Sequence, residues 1–590
     1  MLMYGIIGNG ETCAFISIFS SLDWLCVPRF DAPTIFAKAL DNGEGGSIML
    51  SSEIGNSSVP FEAGTQRYIE DTCVLETTTQ LGSDIIRAVD FMPWGRRRLW
   101  RILGISGPDR LKLHVEVDPR PDYNRKTPKI DISSQGLTIT SPGQAVRIST
   151  TEEEKVTARK KRLTFDIEPP LTVPLLLTYG ATEEECLKEG LRADFLKDYQ
   201  ADLRFWRCYS SRARPVFELS PKLHYYYMRS LIILKQLIYD RTGAILAAPT
   251  TSFPEIVGMD ANWDYRFCWV RDGAYSAEAL TLAGMKDEAR DLLDFLLNIA
   301  HSSGKPYPYP LVSIDGTLDG TEEEIVNTLA GFGNSKPVRI GNRAVDQRQN
   351  DLEGEVVHAL YLYDRYSGDR EYVKGKFGKI KRIVDYVAGH WKEKDAGIWE
   401  FRRKDMDYVH SKTMCWAAMD YGSKLAARFG RDDLTRRWKH EANYIREDVI
   451  ANGWSEKKKC FKRAYQDDAV DASILAIPLM NMLPVTDPLV RTSIKTVTDR
   501  LGTGGLLKRF EEEPGAFMLS SLWLAQVMMK KGKVINALDI INRAARYASG
   551  DLGLFAEEYD MYYRRLVGNI PQSFSHEEFI KSIHYLLGKE

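Results

Sequence analysis

The sequence lacks most features that would assign it at a glance. Its 8 Cys are scattered from Cys13 to Cys460 over 590 residues, with no CxxC pair. That argues against a disulfide framework and points to buried thiols in a reducing compartment. No Cys/His grouping has zinc spacing, and the 9 His are dispersed, with His576 alone worth following. No apolar run reaches the ~18 residues needed to span a bilayer. Met1-Leu-Met-Tyr-Gly-Ile-Ile-Gly8 has no basic n-region and is broken by glycines, so a first strand is expected, not a signal peptide. A cytoplasmic protein follows as the expectation. Neither sign of charge dominates, with a formal net charge of −2 and a pI near 6.6. Nucleic acid and anionic membrane are therefore not expected as partners. No strict internal repeat is visible, and nothing sets the oligomeric state.

What is present is a long globular chain, 44% hydrophobic and 27% charged. Its length exceeds one ordinary core, so two domains are expected. The first third alternates with period two. Leu111, Leu113, Val115 and Val117 are apolar, with Lys112, His114, Glu116 and Asp118 between them. Leu137–Thr140 and Val146–Ser149 flank Ser141-Pro-Gly143, a hairpin signal, and Leu163–Ile167 repeats the alternation. Short strands broken by Gly and Pro predict an antiparallel β-sandwich over residues 1–180. At Thr182-Glu-Glu-Glu185 a capping-box pattern opens a charged helical stretch. Residues 181–215 are taken as a helical linker, with a helix packed on the sandwich as the alternative.

From residue 216 to 590 the period is helical. Twelve candidate helices begin near residues 223, 272, 286, 351, 370, 411, 432, 470, 487, 516, 533 and 575. Six hairpins of this kind would close into an α/α toroid, although an open helical solenoid has similar periodicity. The gaps between helices carry the unusual residues, and loops are where function concentrates.

Four of those gaps attract attention. Asn262–Asp272 interleaves aromatics with charge, a mixture suited to sugar rings and hydroxyls; the plainer reading is core aromatics and Asp272 as a helix cap. In Gly397-Ile-Trp-Glu400 an acid follows a large aromatic. A carboxyl packed on apolar surface has a raised pKa and makes a proton donor; the plainer reading is a surface Glu behind a core Trp. Leu507-Lys-Arg-Phe510 and Gly553-Leu-Phe-Ala-Glu-Glu-Tyr-Asp560 add a basic and a doubly acidic loop, each unremarkable alone.

Taken together these motifs resemble glycoside hydrolase family 15, the glucoamylase family, in its prokaryotic and archaeal branch, which includes trehalases. The likeness runs from Ile7-Gly-Asn-Gly-Glu-Thr-Cys13 and Asp23-Trp24 through Asp90-Phe-Met-Pro93 and Ala248–Glu255. It continues in Asn262–Asp272, Gln349-Asn-Asp-Leu-Glu-Gly354, Gly397–Glu400 and Ser411–Trp416, and ends in Gly553–Glu558 and Gly568–His576. The resemblance implies an N-terminal sandwich and a closed (α/α)6 barrel, and hydrolysis at a terminal glucose with inversion. It implies Glu400 as general acid and Glu557 as general base, with Glu558 one alignment step away. It implies sugar contacts from Tyr265, Trp269, Arg271, Asp272, Trp399, Arg509, Trp523 and Glu558. It implies no metal or cofactor.

The first expectation is a glucoamylase-type enzyme releasing β-D-glucose from maltooligosaccharides or α-glucans. The alternative is a trehalase of the same family, acting on a disaccharide. Two further readings are a disaccharide phosphorylase, in which phosphate replaces the activated water, and a non-catalytic sugar-binding regulatory protein. The acid pair at 557–558 argues against the phosphorylase, and the presence of both candidate carboxylates, Glu400 and Glu557, argues against the regulatory protein.

Overall fold

A computed structural model describes the chain apart from residues 1–3, 55–56, 60–61, 82–83, 108–110, 134–135, 151–155, 160, 217–218, 549, 551 and 589–590. The expected first strand runs Tyr4–Gly8, with Met1–Met3 outside the described residues. It begins a 9-stranded sheet that faces an 8-stranded one, and every strand pair in them is antiparallel. The alternation at 111–118 holds on its apolar side, with Leu113, Val115 and Val117 buried and Lys112 exposed, but His114 between them is buried too, beside the Thr164 hydroxyl. The predicted hairpin forms between Gly136–Ser141 and Gln144–Thr150. Gly143, at φ 76°, supplies the left-handed turn.

The stretch read as a linker is two helices, Glu183–Leu191 and Phe195–Ser211. The first is capped by Thr182, whose side chain accepts from the Glu185 amide. The second packs Phe195, Tyr199 and Leu203 against Phe91, Trp100 and Leu176 on the outside of the 8-stranded sheet. The apolar stripe of this segment thus covers the sandwich, which is the alternative weighed for it. All eight cysteines are free thiols, and Cys208 alone is exposed.

Each helix start read from the sequence has its counterpart, from Pro221–Leu237 to Ser573–Leu586. They divide by burial. Val270–Ala283 is buried at every position, whereas Lys286–Ile299 is buried along one face. Helices buried over most of their length recur at Leu352–Tyr366, Val409–Arg428, Ala472–Leu479, Met518–Lys530 and Ser573–Leu586. Each packs on the next, and Ser573–Leu586 returns to Val270–Ala283, closing the ring that periodicity left open. Helices such as Asp432–Gly453, with one buried stripe, form the outer layer. Among the described residues no helix is long and apolar enough to cross a membrane.

Candidate active site

The inner helices all point their N-termini to one end of the ring, where the loops flagged in the sequence meet. A pit there is lined by Tyr265, Trp269, Arg271, Asp272, Trp399, Glu400, Arg509 and Glu557, with Tyr275, Phe517, Gln572 and Phe574 among the rest. Its empty space is about 540 Å³, open solvent at the mouth included.

Glu400 sits in the left-handed region at φ 57°, an uncommon place for a residue with a side chain. Its loop turns at Gly397, also left-handed; a Cβ there would meet the Tyr408 ring at 2.8 Å. Three donors converge on Glu400 Oε1: Trp269 Nε1 at 2.8 Å, Gln349 Nε2 at 3.1 Å and Arg271 Nη2 at 3.2 Å. Its side chain keeps 21% exposure, so it faces the pit and not the core. The aromatic that touches this acid is therefore Trp269. Trp399, expected to shield it, donates its indole N–H to Asp471 at 2.9 Å and sets its ring edge-on to Phe517.

Arg271 is held by Gln349 Oε1 at 3.0 Å and Asp351 Oδ2 at 3.2 Å. Asp272 is the third residue of its helix and not its cap, a position taken by Trp269 without a side-chain bond. Burial pushes the Asp272 carboxyl up to about 6, with Arg271 working against that shift and Glu400 adding to it.

Glu557 also lines the pit, buried at 2% exposure, and accepts from the Tyr265 hydroxyl at 2.8 Å. Tyr265 and Trp269 pack edge to face at 5.5 Å, so one ring pair reaches both carboxyls. The backbone of Gly568 approaches Glu557 closely; a Cβ there would lie 2.6 Å from Oε2. His576 pins the strand behind it: its Nε2 accepts from the Phe555 amide at 3.1 Å, while Ser575 donates to the Ala556 carbonyl. Burial holds His576 neutral, well below the usual histidine range.

Glu558 does not line the pit. It bonds Arg509 Nη2 at 2.8 Å, and the same guanidinium serves Glu255 and Glu513. The three carboxylates come within 4.8 Å of one another, the kind of grouping that can hold a cation, yet the charge they share is Arg509. One cation thus faces three acids, with Glu557 as a fourth nearby. Burial raises Glu557 well above the glutamate range, and Glu255 adds to it; Arg509 and the Tyr265 hydrogen bond oppose the rise. The base expected to be ionised is thus the carboxyl that burial drives toward its neutral form. Trp523 is also placed elsewhere: it stacks on His410 and lines a second cavity, deeper along the barrel axis, that shares Tyr275 with the pit. Gln349 was named in a motif but given no role, and only its contacts reveal one. The sandwich motifs Gly8–Gly10 and Asp23–Trp24 do not line the pit; Trp24 is in the sandwich core.

Comparison with known proteins decides the family. The model described as glycosyl hydrolases family 15 matches residues 221–584. The chain belongs to this family. It is a glycoside hydrolase, and the site described above lies within the matched family 15 region. A model described as trehalase-like, N-terminal matches residues 3–156. Trehalase 2 of Sulfolobus acidocaldarius is 32% identical, covering 98% of this chain and 98% of its own. The trehalase of Mycolicibacterium smegmatis is 32% identical, covering 100% of this chain and 91% of its own. Among solved structures, a bacterial glucoamylase complexed with acarbose superposes with a TM-score of 0.76 at 14% identity, over 100% of this chain and 94% of its own. That likeness shows the shared fold.

Proposed function

We propose that this family 15 enzyme is a trehalase, hydrolysing α,α-trehalose to two glucose molecules with inversion. The observation that carries the reading is similarity along the whole chain to trehalases, including a trehalase-like N-terminal region. This reverses the ranking drawn from the sequence alone, which placed a glucoamylase first. The glucoamylase likeness is one of fold.

In this mechanism one glucose fills the pit, gripped by Arg271, Asp272 and Arg509. Glu400 gives its proton to the bridging oxygen as the bond to the anomeric carbon breaks. Water attacks that carbon from the opposite face, and Glu557 takes the proton the water loses. Inverting enzymes hold such carboxyls roughly 6.5–9.5 Å apart. The glucose in the pit emerges as the β anomer, and the leaving glucose keeps its α configuration. The surplus of carboxylates around Arg509 has a use here. It disfavours negative charge in the pit and favours the positive charge that develops on the sugar in the transition state.

Proton NMR of the purified protein with trehalose and, separately, maltose tests the substrate and the stereochemistry together. Trehalose is expected to give α- and β-glucose in equal initial amounts, with maltose turned over far more slowly. Preference for maltose would return the glucoamylase reading, and two α anomers from trehalose would exclude inversion.

The raised base also predicts a pH profile. Glu557 works only when ionised, so kcat/KM falls as pH drops through its folded value, which lies well above the ordinary glutamate range. Glu255→Gln removes the largest like-charge contribution to that rise, so the acid limb is expected to move to lower pH. An unmoved limb in a folded variant would detach it from Glu557.

A further inference from the structure

Among the described residues none that lines the pit comes from the sandwich, yet the two domains meet at Arg266, next to Tyr265 of the pit. The contact centres on Arg266, a barrel residue that is 2% exposed. Its guanidinium is held by Asp264 at 2.9 and 2.6 Å. The remaining Nη1 donates across the domain boundary to the Ala32 carbonyl at 2.9 Å, and to Cys26 Sγ at 3.7 Å. The ring of Tyr123, also from the sandwich, lies 5.7 Å from the guanidinium carbon. Asp264 in turn accepts from the Gly341 amide, tying the same point to a second barrel loop.

Tyr123 is held in an unusual way. Asp122, Tyr123 and Asn124 are three consecutive residues with side chains in the left-handed region, at φ 54°, 57° and 62°. Such backbone persists only where its surroundings impose it, and it clusters at functional positions. Here the surroundings are on both domains. Asp122 pairs with Arg125 at 2.5 Å, Arg125 pairs with Glu324 of the barrel at 2.8 Å, and Thr328 of the barrel donates to the Tyr123 carbonyl. The Tyr123 hydroxyl is buried and has no partner among the described residues, so the ring, not the hydroxyl, makes the contact.

Arg266 follows Tyr265, whose hydroxyl bonds Glu557, and precedes by three residues Trp269, whose indole bonds Glu400. We infer that the N-terminal sandwich is a positioning part of the active site. It presses Tyr123 and Ala32 onto Arg266 and so sets the strand of chain that touches both carboxyls. This rests on the assignment of Glu400 and Glu557 as the reacting pair. Tyr123 and Arg266 are positioning residues, since neither lines the pit.

Steady-state kinetics of the full chain on trehalose, or on whichever glucoside it turns over fastest, tests this with four variants. Misplacement of a reacting group by about 1 Å can cost on the order of 10²-fold. Tyr123→Leu and Arg266→Met are therefore expected to lower kcat about tenfold or more, with KM changed less than about threefold. Their acid limb is expected to move to higher pH, because a loosened Tyr265 hydrogen bond favours neutral Glu557. Tyr123→Phe keeps the ring and is expected to match the wild type. Arg241→Ala removes a different link between the domains, the exposed pair with Glu11, and is also expected to match it. Wild-type kcat in Tyr123→Leu would overturn the inference, as would an equal loss in Arg241→Ala, which would reduce the effect to general docking. If Arg266→Met does not fold, Tyr123→Leu with its Phe counterpart decides alone. Full activity in Glu400→Gln or Glu557→Gln would instead strike the assignment of the pair.

Discussion

Glu400→Gln is expected to fold as the wild type does and to lose about 10²–10⁴-fold in kcat, the usual contribution of a positioned acid. The side chain keeps its shape, and its Oε1 can still accept from Trp269, Gln349 and Arg271. What is lost is the proton. In the proposed mechanism Arg271, Asp272 and Arg509 provide the main grip on the glucose, so binding is expected to survive. Calorimetry with trehalose should give a Kd within a few-fold of the wild-type KM. An active Gln variant would remove Glu400 from the role. A variant that neither binds nor turns over would show that its loop, held at a left-handed φ, had collapsed.

The second large effect separates two adjacent acids. Glu557→Gln is expected to cost about 10²–10⁴-fold in kcat, because Glu557 is the carboxyl of the pair that lines the pit. Glu558→Gln removes one of three carboxylates from a single guanidinium. Arg509 keeps Glu255 and Glu513, and the amide oxygen can still accept from it. Its kcat is therefore expected to stay within about tenfold of the wild type, a loss of up to roughly 1.4 kcal/mol in barrier. The reverse ranking in turnover numbers would move the base to position 558.

The architecture was legible because its signals are periodic. Alternation at 111–118 and the apolar stripes from 223 onward are properties of neighbouring residues, and each helix start could be read from them. Closure of the ring was not, because it depends on Ser573–Leu586 meeting Val270–Ala283, a contact between residues some 300 apart with no local signature. The site divides in the same way. Residues that share a motif with a carboxyl, such as Trp269 and Arg271, could be named together. Trp399 lines the pit, but its indole bond to Asp471, a residue of a distant loop, could not be read from adjacency to Glu400. Gln349 and the Arg509 cluster depend on which side chains converge from distant loops, which no spacing reports. Trp523 was carried by a short motif on a helix buried all round, where one position faces the pit and another the cavity below it.

The ring closes last at its end nearest the C-terminus, and Gln572 and Phe574 are part of the pit wall. The sandwich residues precede the barrel in the chain, but Tyr123 takes its final place only when Thr328 of the barrel reaches its carbonyl and Glu324 reaches Arg125. Domains fold as units in the order of synthesis. Hydrolytic competence cannot accumulate by degrees along such a chain. It arrives when the final helix docks against Val270–Ala283 and Met518–Lys530 and brings Gln572 and Phe574 into the pit wall.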